Sequence, residues 1–198
     1  LADFYEQAFG PAAEPMRRYY ERLDPGAKPL LSEHLLALAL RDLEEASKLA
    51  ANRPDVLTRL RHLKQYQHYA RLRWDYERAS DKDMKKSFAL QEITHVYRAR
   101  YSYMNHWEAA RQAWLPKLAK EFDEPDWIDN GDPKRPWKND DALDDDETER
   151  LFQEDLTRFQ PQPLDEVVFS NDLVPSGLSS AKPAESQQGF QGNATYAL

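Results

Sequence analysis

Residues 84–114, MKKSFALQEITHVYRARYSYMNHWEAARQAW, contain neither glycine nor proline, and Ala89, Ile93, Val96, Arg100, Tyr103, Trp107, Ala110 and Trp114 follow one another at intervals of 4, 3, 4, 3, 4, 3 and 4. That alternation keeps one seam of an α-helix turned towards a partner helix. Leu90, Tyr97, Tyr101 and Met104 widen the seam into a stripe. The spacing therefore predicts one long helix, covered by other helices along most of its length. Arg100 alone interrupts the apolar run. A guanidinium buried there needs a carboxylate or several carbonyls, and Asp42, Glu45, Asp75 and Glu77 on neighbouring helices are the candidates.

Upstream, residues 1–9 read as the last turns of a helix that Gly10-Pro11 interrupts, and Pro15 suits the first turn of the next helix, which ends before Asp24-Pro25-Gly26. Ser32 is a plausible N-cap for a helix over 33–52, with Leu36, Leu40, Leu43 and Ala50 on one face. Pro54 opens a helix to about residue 79 with Val56, Leu60, Leu63, Ala70 and Trp74 in line, and Asp81 caps the long helix. Corners this short favour antiparallel neighbours. The expected fold is all-α: an up-and-down bundle of three long helices with the N-terminal helices packed across it.

Glycine and proline divide the chain. Between Leu30 and Trp114 only Pro54 occurs, whereas prolines gather again from Pro125 to Pro183. Charge divides it at the same place: residues 1–122 hold 21 Lys and Arg against 17 Asp and Glu, a net of +4, and residues 123–172 hold 5 against 17, a net of −12. The expected organisation is a helical bundle over 1–122 and an acidic Pro/Asp-rich loop over 123–165, with a short helix near 147–158. Trp127, Ile128 and Trp137 could pin that loop to the bundle. Residues 166–198 read as an extended linker and the start of a truncated β domain, with Glu166-Val-Val-Phe169 a strand candidate. Leu1 in place of Met, and the closing Asn193-Ala-Thr-Tyr-Ala-Leu198, suggest an excerpt from a longer polypeptide.

Some functions are disfavoured by composition. The basic residues are interleaved with acids rather than gathered in a stripe, so nucleic acid is not an expected partner. No apolar run approaches membrane-spanning length, and without cysteine there is neither disulfide nor thiolate chemistry.

Glu92-Ile-Thr-His95 is a Glu-x-x-His of the kind that carboxylate-bridged di-iron bundles use. Such a site needs a second copy, and none of His34, His62, His68 and His106 has Glu three residues before it. A solvated helix face is the simpler expectation, and no metal or cofactor is assigned. The run Asp140, Asp141, Asp144, Asp145, Asp146, Glu147 lacks the glycine and spaced acceptors of a calcium loop, and nothing in it sets one acid apart for glycoside chemistry. Ser102 lacks the strained turn and the base of a nucleophilic triad. On one continuous helix His95 and His106 lie three turns apart. With Arg98, Ser102 and Asn105 they would line a polar face that docks on a neighbouring domain, faces plain solvent or borders a sugar-binding cleft.

Three segments resemble the C-terminal part of a family of large, mostly uncharacterised bacterial proteins related to the alpha-glucuronidases and hexosaminidase-like glycoside hydrolases. They are Phe9-Gly-Pro-Ala-Ala-Glu-Pro-Met-Arg-Arg-Tyr-Tyr20, Tyr101-Ser-Tyr-Met-Asn-His-Trp107 and Phe169-Ser-Asn-Asp-Leu-Val-Pro175. In that family a helical domain follows a catalytic (β/α)8 barrel and often precedes a β-sandwich. The resemblance implies a non-catalytic helical accessory domain whose partner is the barrel of the same polypeptide, with carbohydrate reached through that barrel and the parent exported. No catalytic residue is carried over. His95, Arg98, His106 and Trp107 are the candidate ligand-binding residues at the rim of the cleft. The alternatives are a self-standing helical-bundle interaction module whose acidic loop recruits a basic partner, and a metal-carboxylate bundle enzyme.

Overall fold

The computed structural model describes residues 2–23, 31–102, 104, 106–131, 134–138 and 141–161. Tyr103, Asn105, Asp140, the strand candidate at 166–169 and the rest of the expected linker lie outside the described residues. Among the described residues the fold is all-α, without strands. In chain order the helices are α1 (Ala2–Phe9), α2 (Ala13–Arg22), α3 (Glu33–Leu49), α4 (Pro54–Arg78), α5 (Lys82–Arg98), the short α6 (Trp107–Ala109), α7 (Leu115–Phe122) and α8 (Asp145–Arg158).

Local chemistry sets the boundaries of these helices. Ser32 accepts from the Leu35 amide at 3.1 Å, and Asp81 accepts from the Met84 amide at 2.8 Å, each satisfying a donor that a helix start leaves orphaned. Pro54 takes the first turn of α4, where its missing N–H costs nothing. Asp144 accepts from the Glu147 amide at 2.7 Å, and Asp145, Asp146 and Glu147 place negative charge on the first turn of α8, where the helix dipole favours it. Between α1 and α2 the backbone turns at Gly10 with φ +51°, and a Cβ there would come within 2.8 Å of Arg53 Nη1.

Helices α3, α4 and α5 form the up-and-down unit, α2 packs on α3, and α8 returns to lie against α4 and α3. Two apolar clusters result. One joins Met16, Tyr19, Leu40, Leu43 and Leu60 to Phe152, Leu156 and Phe159 from the far end of the chain. The other gathers Ile93, Tyr97, Leu115 and Phe122 around Trp127 and Trp137. Trp127 and Trp137 do anchor the acidic loop: both are buried, and Trp137 Nε1 donates to the Trp127 carbonyl at 2.7 Å. Ile128 instead stays exposed.

The long helix expected over 84–114 is interrupted. It ends at Arg98, and helical structure resumes at Trp107, passing through a π turn at Ala110–Trp114 into α7. Polar side chains capture the carbonyls that would have continued the ladder. Arg100 Nη1 donates to the Tyr97 carbonyl at 2.8 Å, Ser102 Oγ donates to that of Ala99 at 2.8 Å, and the Leu143 amide takes the Arg98 carbonyl at 3.3 Å. His106 then caps the next segment, its Nδ1 accepting from the Ala109 amide at 3.0 Å. Up to Val96 the seam is buried as its spacing requires, but beyond the break Tyr101 and Met104 are exposed. Arg100 is half-buried and stacks over the Tyr97 and Tyr101 rings, 4.1 and 4.6 Å from their centroids. The carboxylates expected for it are engaged elsewhere: Asp42 with Arg18 and Arg22, Glu45 with Arg18, Asp75 with Arg158, and Glu77 with Arg73.

Candidate functional site

The face of α4 from Arg61 to Asp75 meets α8 on one side and α5 on the other, and it carries the buried polar residues Lys64, Gln65, Gln67, His68 and Asp75. Towards α8, Lys64 Nζ reaches Glu149 at 2.6 Å, Gln65 donates to the Thr148 hydroxyl at 3.0 Å, and His68 Nδ1 lies 2.7 Å from Asp155 Oδ2. Arg71 Nε stands 3.1 Å from Asp75, which also receives both terminal nitrogens of Arg158. Thr148, Phe152 and Asp155 fall on one line of α8, with the buried Leu156 beside it and the buried Phe159 just past its end, so Asp155 is the single acid on a buried face and demands a buried partner. That spacing is visible in the sequence and was the available signal for the pair with His68.

Towards α5 lies His95, 5% exposed, with Nε2 2.8 Å from the Gln65 carbonyl. Burial, helped by His68 and Arg98, holds its imidazole neutral with a pKa lowered to about 3. Arg98 grips Glu147 with two bonds, at 2.6 and 2.5 Å, and donates to the Asp141 carbonyl at 3.1 Å. The hydrogen bonds within this pair raise the Arg98 pKa and lower that of Glu147. His68, His95, Arg98 and Glu147 share a cavity of about 350 Å³ whose apolar walls are Leu72, Leu90, Leu143 and Leu151.

Glu92, one turn before His95, is fully buried, and neither carboxylate oxygen has a hydrogen-bond partner. Arg73 Nη1 is the nearest cation at 3.8 Å, and the Arg73 guanidinium also bonds Glu77 at 2.8 Å. Burial pushes the Glu92 pKa up to about 7, with Arg73 pulling against it and Glu77 adding to it. The expectation of a solvated Glu92–His95 face is thus overturned, because α5 turns both residues inward against α4. Among the described residues no three His, Asp or Glu side chains are grouped as a metal cluster would require.

The four residues singled out from the sequence are not brought together. His95 and Arg98 share the cavity just described, but the break after Arg98 removes the common face with His106. His106 is exposed and lines a separate groove of about 410 Å³ with Tyr66, Tyr69, Arg73, Met104 and Trp114. Trp107 lines neither: its ring packs 4.9 Å from Tyr97 and 4.9 Å from Trp137, closing the second apolar cluster. Tyr66 and Tyr69, one wall of the groove, lie beside the apolar line of α4 and carry no sequence signal beyond their spacing of three residues. Their rings stand 6.0 Å apart with a tilt of 36°, and both are half-exposed.

Among the described residues no helix is long and apolar enough to cross a membrane. Comparison with protein-family models, with curated proteins and with solved structures finds no match to this chain.

Proposed function

We propose that this chain is a non-catalytic helical accessory domain of a carbohydrate-active, glycoside hydrolase-like enzyme, and that it packs against a catalytic barrel carried elsewhere on the same polypeptide. The observation that supports a docking role is the groove beside the interrupted helix. There Tyr66, Tyr69 and Trp114 offer flat apolar faces, and Arg73 and His106 place polar groups among them. Half-exposed tyrosine and tryptophan with a few polar groups is the composition of surfaces that bind another protein surface or a sugar. The carbohydrate assignment itself rests on the resemblance of the segments at residues 9–20, 101–107 and 169–175.

The acid pair of a glycosidase is not expected within this chain, since Asp75, Asp155 and Glu147 are already committed to Arg158, His68 and Arg98. Purified chain should therefore release no nitrophenol from aryl glycosides. Turnover abolished by substituting an acid within residues 1–198 would overturn the proposal. Reading the coding sequence upstream of Leu1 is the complementary test, with alternating strands and helices the expected pattern. As for a free interaction module, the acids of α8 offer little to a basic partner: Asp145, Glu147 and Glu149 already pair with Arg61, Arg98 and Lys64.

A further inference from the structure

Arg73 stands between two carboxylates of different kinds. Its Nε donates to Glu77 of its own helix at 2.8 Å, and the Glu77 side chain is 47% exposed. Its Nη1 lies 3.8 Å from Oε1 of Glu92, whose side chain has no exposure and neither oxygen hydrogen-bonded. The first contact is a bond already made, and the second stops about 1 Å short of one. Burial without a partner disfavours a charged carboxyl, so this is the arrangement that a protonated Glu92 leaves, with nothing drawing Arg73 inward. Once ionised, Glu92 is an uncompensated buried charge beside a guanidinium whose only hydrogen bond among the described residues runs through Nε. Closing the gap is the shortest way to compensate it.

The groups around Glu92 leave this task to Arg73. Helix α4 sets Tyr69 and Tyr76 near it, together with Arg73 and Glu77. From α7, Glu121 accepts from the Tyr76 hydroxyl at 3.0 Å and lies 3.5 Å from Lys85 of α5. Further along α5, His95 is tied to the Gln65 carbonyl and Arg98 to Glu147. Arg73 is also a wall of two neighbouring hollows, which share Tyr66 and Tyr69 with it: the groove of about 410 Å³ that holds His106 and Trp114, and a cavity of about 190 Å³ against Leu35 and Leu36. A displaced guanidinium therefore changes the lining of both.

We propose that Arg73 is a two-position arm worked by the proton on Glu92: it is held by Glu77 in the groove wall while Glu92 is protonated, and is drawn onto Glu92 when that carboxyl ionises. The wall then offers free guanidinium N–H groups at acid pH and withdraws them at alkaline pH. Burial, reinforced by the charge of Glu77, places the changeover at about 7. A partner that presents a carboxylate or several carbonyls to this groove should bind more tightly on the acid side, a consequence that alone rests on the docking role proposed for the groove.

Carbon-detected NMR of the full chain from about pH 5 to about pH 9 tests the arm without any partner, so it can fail independently of the docking role. The Arg73 Cζ and Nε signals should move with the same midpoint as the Glu92 carboxyl carbon. His106 lines the same groove and is itself titratable, so its ring signals are followed in the same spectra and should not set the Arg73 midpoint. Glu92→Gln should flatten the Arg73 response. Glu77→Gln, at an exposed position that the fold does not depend on, removes the outer anchor and its charge and should lower the midpoint by about one pH unit or more. Arg73 signals that stay still while Glu92 titrates, movement that survives Glu92→Gln, or a midpoint unmoved by Glu77→Gln would each overturn the proposal.

Discussion

The two sides of α4 bury polar groups in opposite ways. Against α8 the buried groups are matched: Gln65 with Thr148, His68 with Asp155, Asp75 with Arg158. Against α5 the chain buries Glu92 with neither oxygen hydrogen-bonded and Arg73 no nearer than 3.8 Å. A matched set is costly to break, whereas an unmatched charge is costly to keep. Substitutions on the two sides should therefore move stability in opposite directions.

The largest loss is expected on the matched side. Asp155→Ala leaves His68 beneath α8 without its acceptor and should lower unfolding free energy by about 3–5 kcal/mol in denaturant titrations near neutral pH. An effect under about 1 kcal/mol would show that the α4–α8 set is not energetically coupled.

Glu92→Gln probes the unmatched side and should act with the reverse sign. Because the folded pKa is raised from 4.5 to about 7, the folded state holds this proton more tightly than the unfolded chain. The stability contributed by the protonated form is fully present below about pH 4.5 and is lost as pH rises through about 7. The variant should lack that dependence: close to the parent at pH 4 and more stable by about 2 kcal/mol at pH 8, as read from chemical denaturation at both values. A parent whose stability is flat between these values would remove the contrast between the two sides.

Smaller effects test the helix starts that bring the two sides to α4. Asp144→Ala removes the cap of α8 and Asp81→Ala that of α5, and each should cost about 1 kcal/mol in thermal unfolding. The Asp144 change should also loosen the Arg98–Glu147 pair, because Glu147 lies in the same first turn. Greater amide exchange across 145–149 than across 82–86 in the two variants would mark that coupling.

The helix starts were legible in the sequence because capping is local: Ser32, Pro54 and Asp81 each announce a first turn regardless of what packs nearby. The buried seam through Val96 was legible as well, since apolar period and burial go together. The interruption after Arg98 was not, because no glycine or proline marks it. It depends on Arg100 and Ser102 taking carbonyls and on Leu143, far along the chain, capping Arg98. The candidate site suffered for the same reason. His95 and Arg98 were recognised, but their partners, His68, Gln65 and Glu147, stand on other helices, and nothing in the 84–114 stretch encodes that pairing.

The tryptophans are unevenly distributed between the two apolar clusters, and this has a spectroscopic consequence. Trp74 belongs to the cluster of α2, α3 and α8, whereas Trp127 and Trp137 are buried in the other and Trp107 and Trp114 pack against it. Indole emission is thus weighted towards one half of the molecule, while far-ultraviolet circular dichroism is dominated by the long helices that span both. Emission and ellipticity that melt together mean one cooperative block, and an earlier change in emission means that the indole-rich half comes apart first.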